Sequence, residues 1–423
     1  MINPILYVLR SCRHLIILFL MVSVCSAPTQ ADTGEVPQVF FGGIMDFTTA
    51  FQNQGLPEVN RFRRGDSAFD NMRMTLFTDV VFSPRITLFT QVILDPTSGS
   101  SISSFFRPYA RFTALETAKG VLHLEVGKLP TPFGSISPRA YSTRNPLVSS
   151  PLMYHYFTSL RSNQIPADNA DLVSHRGQGP FSVFTGYSGG GASRAFNGLP
   201  LIYEICWDTG AQAIGSFWRF DYRASVTQGT LGDPRNGGGD NNDGKQFSGR
   251  LGLVPMTWLT VDSSYARGPY LHSDVAPALR QGKQVEDYHQ KALGFDAAIG
   301  FRHLELIGEL MLNTWDVPNI VDTNGREKAV ETTGFYVQGK YAIRPGLYAA
   351  VRLDQIDFGE VDDGSGTSVP WDEPVKRIEF GVGYHFRDGV IGKVIRQDIR
   401  VEHQAPATSS HDYFWGAQLS LSF

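Results

Sequence analysis

Charged side chains of both signs recur at alternate positions along this chain, and arginine dominates the cations. By strand parity, Arg73, Arg107, Arg111, Arg219, Arg223, Arg250, Arg352, Arg377, Arg396 and Arg400 fall on the same faces as Asp79, Glu125, Glu204, Asp221, Asp262, Glu305, Glu309, Asp354, Glu379, Asp398 and Glu402. A guanidinium keeps its charge and forks onto carboxylate or phosphate oxygens, so arginines facing a water-filled space attract anions. Paired with carboxylates, the same residues form a salt-bridged wall that braces without choosing ions. Selectivity then falls to arginines left unpaired. Arg139, Arg144 and Arg161, in the long segment 129–169, are expected to face Arg107, Arg111, Arg219 or Arg223 across such a space. Arg250, Arg396 and Arg400 complete the expected lining.

Bond-making chemistry finds less support. Ser174-His175 and His303 with Glu305 and Glu309 are the candidate catalytic groups, but neither is accompanied by a Gly-x-Ser-x-Gly elbow or a metal-binding pair. The loop 235–244 offers Asp240 and Asp243 to calcium, without the EF-hand spacing. No catalytic residue, metal or cofactor is expected.

The elements that would position these charges are strands. Ile214, Trp218, Phe220, Tyr222, Ala224 and Val226 alternate with Arg219, Asp221, Arg223 and Ser225. Leu304 to Leu312 alternate with His303, Glu305, Glu309 and Asn313, and Ile378 to Phe386 with Arg377, Glu379 and His385. An oily face backed by an ionic one, repeated many times, fits strands with lipid on one side and water on the other. Strands are expected at 38–49, 69–82, 85–94, 104–115, 121–128, 170–176, 180–187, 200–208, 211–228, 246–254, 258–267, 291–301, 303–314, 331–342, 347–358, 373–386, 391–403 and 412–423. That is about 18, or about 16 without the hairpin at 170–187, with short turns alternating with long loops as in outer-membrane barrels. Tyr187, Trp207, Trp258, Tyr341 and Trp415 suit interfacial girdles, or a sugar track if they point inward.

Residues 1–31 read as an export signal, with Arg10 and Arg13 before the apolar stretch 15–24 and cleavage after Ala31. The mature chain then holds Cys206 as its lone cysteine. No later run of 18 apolar residues exists for a transmembrane helix, so a membrane form must be a barrel. With 423 residues and a net charge of −4, nothing suggests a nucleic-acid partner. The fold class is therefore all-β: a transmembrane antiparallel β-barrel over 32–423, with 129–169 as a constriction loop folding inward after the fifth strand. A soluble sandwich or propeller is the alternative fold that alternation leaves open.

The last strand, Asp412-Tyr-Phe-Trp-Gly-Ala-Gln-Leu-Ser-Leu-Ser-Phe423, puts Trp415, Leu419, Leu421 and Phe423 on one face. It resembles the C-terminal assembly signal of bacterial outer-membrane proteins, which implies the outer-membrane assembly machinery as a partner beside the lipid bilayer and lipopolysaccharide. The stretch Gly127-Lys-Leu-Pro-Thr-Pro-Phe-Gly134 resembles the Gly…Pro-Phe-Gly stretch of the phosphate-selective porin O and P family. That resemblance implies a homotrimer of barrels whose third loop folds into the lumen. The family's lysine-rich phosphate cluster has no counterpart here. The expected function is a porin for passive diffusion of small anionic or neutral hydrophilic solutes, with a mild anion (phosphate-like) preference. A non-conducting structural or adhesive barrel and a barrel-rim enzyme are the alternatives.

Overall fold

The computed structural model describes residues 37–52, 71–95, 103–136, 140–180, 183–193, 196–203, 206–235, 240–402 and 409–423. The period-two segments become sixteen antiparallel strands closed into one barrel. They are β1 Gln38–Gln52, β2 Asn71–Ser83, β3 Ile86–Asp95, β4 Ser103–Thr117, β5 Gly120–Pro130, β6 Trp207–Phe217, β7 Phe220–Thr227 and β8 Gln246–Met256, followed by β9 Leu259–Pro269, β10 His289–Phe301, β11 Leu304–Trp315, β12 Val330–Arg344, β13 Leu347–Phe358, β14 Val375–Arg387, β15 Val390–Glu402 and β16 Ser409–Ser422. Each even-numbered strand up to β14 leads through a tight turn into the next, so these turns gather at one end, the periplasmic end in barrels of this kind. Ser83 Oγ accepts the amides of Arg85 and Ile86 at one turn, and Gly346 and Gly389 supply positive φ at two others.

Closure joins β16 to β1, from Ile44↔Ser422 to Gln52↔Phe414. Phe423 and Gly43 exchange both backbone hydrogen bonds, at 3.0 and 3.1 Å. No barrel strand is left with an unpaired edge, which is what hydrocarbon demands of backbone polar groups. The outer face is apolar, with Phe217, Leu251, Val337, Phe386 and Phe423 all more than half exposed. Phe82, Trp258, Tyr341 and Tyr384 belt it near the tight turns.

Three of the eighteen expected strands are not barrel strands: 170–176, 180–187 and 200–208, the last contributing only Trp207 and Asp208 to the start of β6 among the described residues. Residues 170–176 belong mainly to the short helix Asn169–Ser174, whose N-cap Asp168 accepts the Asp171 amide at 2.8 Å. The Asp at the cap and the Asp three residues on were a legible helix start that the apolar run obscured. The described part of 180–187 is non-strand chain beside it. Segment 211–228 is a hairpin rather than one strand: it turns at Trp218-Arg219, with Trp218 at φ 56°. No Asn-Gly or Asp-Gly pair announces that turn.

The connection between β5 and β6, 131–206, is an insert that enters the barrel, longer than the expected 129–169. Its apolar side chains, including Phe133, Leu147, Leu152, Met153 and Tyr156, are almost wholly buried. They pack against inward residues of the wall: Tyr336 and Met311 in one cluster, Tyr348 and Ile395 in a second, Phe358, Val375, Ile399 and Val401 in a third. The barrel thus contains a hydrophobic core of its own.

Buried charges then pin the insert in place. Arg352 donates to Ser149 O (2.8 Å), Asn145 Oδ1 (3.1 Å), Gln338 Oε1 (3.0 Å) and Glu379 Oε2 (3.1 Å). Glu379 accepts the amides of Val148 and Ser149 at 3.2 Å each. Arg377 joins Asp354 at 2.9 Å, and Asp354 accepts the Leu152 amide at 3.2 Å. Lys393 donates to the carbonyls of Asn145 (2.7 Å), Leu147 (3.2 Å) and Ser142. On the far side, Glu309 takes Tyr154 Oη at 2.6 Å and Ser135 Oγ at 3.0 Å.

Three expectations follow. A Cβ at Gly210 would lie 2.1 Å from the backbone oxygen of Val226 on the adjacent strand, so Gly210→Val should lower the fraction of heat-modifiable, folded barrel on a gel. Arg352→Ala strands Glu379 in the interior and should cost about 3–5 kcal/mol in urea unfolding. Asp372, in the loop before β14, is buried against the amides of Ser159 and Gly177, and desolvation raises its pKa to about 6 from 3.8. A carboxyl with a raised folded pKa favours the folded state when protonated. The insert should therefore be more stable below pH 3.8 than above 6, losing up to about 3 kcal/mol between those values. Hydrogen exchange at Ser159 and Gly177 across that range reads the change, and Asp372→Asn should flatten it.

Candidate permeation site

With the insert packed on β10–β15, the inner faces of β2–β8 are the wall left nearest to water. A cavity of about 490 Å³ opens there, lined by Arg111, His123, Asp221, Arg223, Arg250, Asp262 and Asp296 among others. Its residues come from the tight-turn halves of β4–β10, which places it in the periplasmic half of the lumen.

The cations of this wall are held to different degrees. Arg111 pairs with Glu125 at 2.6 Å and lies over the Phe89 ring at 4.7 Å, and Phe89 stacks on Tyr109 at 4.8 Å. Arg250 is neutralised twice, by Asp296 (2.7 and 2.8 Å) and Asp262 (3.1 Å), and also donates to Gly134 O. That last bond ties the stretch 127–134 to the wall. Gly134 sits at φ +67°, and a Cβ there would collide with Glu309 and Tyr154 at 2.2 Å, so the chain can lie this close because the residue is glycine. Arg223 differs: it faces the cavity and makes no ion pair or hydrogen bond with any described residue.

A second group of cations surrounds Tyr141 of the insert, whose hydroxyl accepts from Gln91 at 3.0 Å. Burial raises the Tyr141 pKa, and the charges of Arg107, Arg73 and Arg144 oppose that rise, which brings all three into its electrostatic reach. Arg107 is buried over the Trp207 ring at 5.0 Å, whereas Arg144 is exposed at the insert's turn. Arg111, Arg223 and Arg250 therefore line the cavity, whereas Arg107 and Arg144 belong to the group around Tyr141.

The other expected lining residues do not join them. Arg161 is fully buried within the insert, where it donates to the carbonyls of Ser159 (2.9 Å) and Gly179 (2.9 Å) and lies over Phe184; burial pushes its pKa down to about 10. It is a brace for the loop, with no face toward solvent. Arg219 sits on the tight turn after β6 and donates to Pro255 O at 2.6 Å. Arg396 and Arg400 point outward, as do Asp398 and Glu402. Their neighbours Ile391, Lys393, Ile395, Ile399 and Val401 face in, because the insert gives β15 an apolar partner inside the barrel. Lys393, which clasps the insert, was missed for the same reason. Ile214 also faces inward, opposite Arg223 in the β6–β7 register. Arg139 and Glu204, like the export signal 1–31, lie outside the described residues.

Trp415, Leu419, Leu421 and Phe423 occupy the outer face of β16, and Trp258 and Tyr341 are exposed girdle residues. Trp207 faces inward and Tyr187 is buried in the insert, so neither belongs to the girdle. Ser174 Oγ lies 3.1 Å from His175 Nδ1, yet that same nitrogen also meets Asp171 O at 2.7 Å and Asp171 Oδ1 at 3.5 Å. A relay needs the nucleophile and the carboxylate on opposite ring nitrogens. His303 and Glu309 are not brought together either: His303 is exposed at a tight turn, and Glu309 is buried on Tyr154. Asp240 is taken up by Lys245.

No family model matches the sequence, and no curated protein matches it. Solved structures do. An anion-selective porin from Comamonas acidovorans superposes with a TM-score of 0.55 at 10% identity, covering 92% of this chain and 100% of that one. OmpF of Salmonella typhi, in a complex with daunomycin, gives 0.52 at 11% identity over 92% and 98%. Outer-membrane expressed OmpT of Vibrio cholerae gives 0.51 at 10% identity over 93% and 100%. The likeness is one of fold: this chain has the sixteen-strand architecture of porin-type barrels, and its closed sheet and apolar outer face are those of a bacterial outer-membrane protein.

Proposed function

We propose that this protein is an outer-membrane porin that lets small hydrophilic solutes cross by diffusion, with a mild preference for anions. The observation that carries the reading is the wall of β2–β8, where the inward insert leaves a polar cavity with the uncommitted guanidinium of Arg223 in it. No bond is made or broken. The barrel excludes lipid, the insert sets the size limit, and the wall charges set the electrostatic barrier. The preference is mild because Asp221, Asp262 and Asp296 line the same cavity, and because Arg111 and Arg250 are already paired.

The named wall cations are arginines. Arginine suits anions in general, so phosphate specificity is not part of the reading. Kinship with the phosphate-selective porin O and P family rests on the stretch 127–134, and with it the homotrimer. The competing reading is a plugged, non-conducting barrel, favoured by the three apolar clusters that the insert builds inside the wall.

Planar-bilayer recordings of the refolded chain under a salt gradient separate the two. Conductance steps with an anion-side reversal potential are expected. Arg223→Ala should lower the anion-to-cation permeability ratio by about twofold or more. Arg161→Ala should lower thermal stability and leave that ratio unchanged. A folded barrel that gives no steps would move the assignment to the plugged barrel.

A further inference from the structure

The outer face of β14–β16 carries charges where the rest of that face is apolar. Moving from mid-strand toward the long-loop end, Arg396 is flanked in register by Phe380 and Trp415, and Asp398 by Ile378 and Tyr413. The next outward row is Lys376, Arg400 and His411, three basic side chains side by side on adjacent strands. Side chains of Lys376 and His411 are at least half exposed, and Arg400 is exposed.

Charge on a lipid-facing strand is costly at mid-bilayer and tolerated near the interface, provided something meets it. Arg396 is met from within the face. It bonds Asp398 at 2.8 and 3.1 Å and lies 5.2 Å over Tyr413 and 5.4 Å over Trp415. Lys376 has only an exposed pair with Glu402 at 3.2 Å, which water and competing anions weaken readily. His411 approaches Asp398 no closer than 4.0 Å. Arg400 has no ion pair or hydrogen bond with any described residue. The row lies near the ends of its strands that lead into the long connections, hence on the outer-leaflet side, directly above exposed Ile378, Phe380, Tyr413 and Trp415.

We infer that the Lys376–Arg400–His411 row binds the phosphate of an outer-leaflet lipid, the phosphorylated sugar of lipid A, whose acyl chains lie down the apolar surface below. A basic row above an aromatic and aliphatic slope matches the order of groups in such a lipid: anion at the interface, hydrocarbon beneath. Asp398 and Glu402 interleave with the cations, so the site selects a phosphate that reaches Arg400 rather than a diffuse anionic surface.

Native mass spectrometry of the full chain, released from detergent and titrated with diphosphoryl lipid A, tests this. One bound lipid A per chain is expected, at least about tenfold weaker for lipid A stripped of its phosphates and for the variant Lys376→Ala/Arg400→Ala/His411→Ala. Arg400→Lys should keep most of the binding. The heat-modifiable gel shift confirms that each variant is folded, and the variant leaves the wall of β2–β8 untouched. Equal binding of lipid A by the triple variant and the parent overturns the proposal. So does full displacement of the lipid by millimolar inorganic phosphate, which would mark a free-phosphate site. A triple variant that dissociates from a larger assembly while keeping its lipid A affinity would assign the row to contact with a second copy, and the proposal would fall.

Discussion

A carboxylate enclosed by a barrel must find its hydrogen-bond donors inside that barrel, and Glu379 finds them in the insert. Its oxygens take two insert amides and the guanidinium of Arg352, which in turn reaches the insert's carbonyls and Asn145. Neither the wall charges nor the insert backbone would be satisfied alone. Burying either without the other leaves an ion or a row of peptide groups unpaired in a dry interior. The rest of the lumen depends on this mutual satisfaction. It fixes which wall is covered, which stays near water, and where Gly134 is presented to Arg250.

The same constraint divides the arginines by task. Arg352, Arg377 and Arg161 are consumed by structure: each is buried and bonded to the insert's backbone or to carboxylates. Arg111 and Arg250 are intermediate, paired but beside the cavity. Arg223 and Arg144 are not taken up in this way: Arg223 makes no ion pair with a described residue and Arg144 is exposed. Charge type alone does not separate these groups. What separates them is whether insert carbonyls or buried carboxylates lie within reach of the guanidinium.

On the outside the constraint is reversed. Hydrocarbon supplies no donors or acceptors, so the outer face is apolar over most of its height, and outward charges such as Arg400, Lys376, Arg267, Lys291 and Glu331 lie toward the long-loop end. The Arg396–Asp398 pair shows how a lipid-facing charge is tolerated: a carboxylate two residues along the strand and two aromatic rings from the neighbouring one.

Strand positions were legible because period-two alternation is a local property: every one of the sixteen barrel strands overlaps an expected segment, and the long connection after the fifth does fold inward. The chain by itself also determined the closing strand, since the alternating residues ending at Phe423 lie on one face whatever surrounds them. Which face points inward was not local. In β15 the alternating ionic residues Arg396, Asp398 and Arg400 look like a lumen set. The insert makes the interior of that strand apolar, and its parity follows Ile391, Ile395 and Ile399 instead of Arg396 and Arg400. The reach of the insert to residue 206, the role of Lys393 and the lack of a close ion pair at Arg223 were decided in the same way, by contacts between segments far apart in sequence. Alternation sorts residues into two faces; only the tertiary structure says what each face meets.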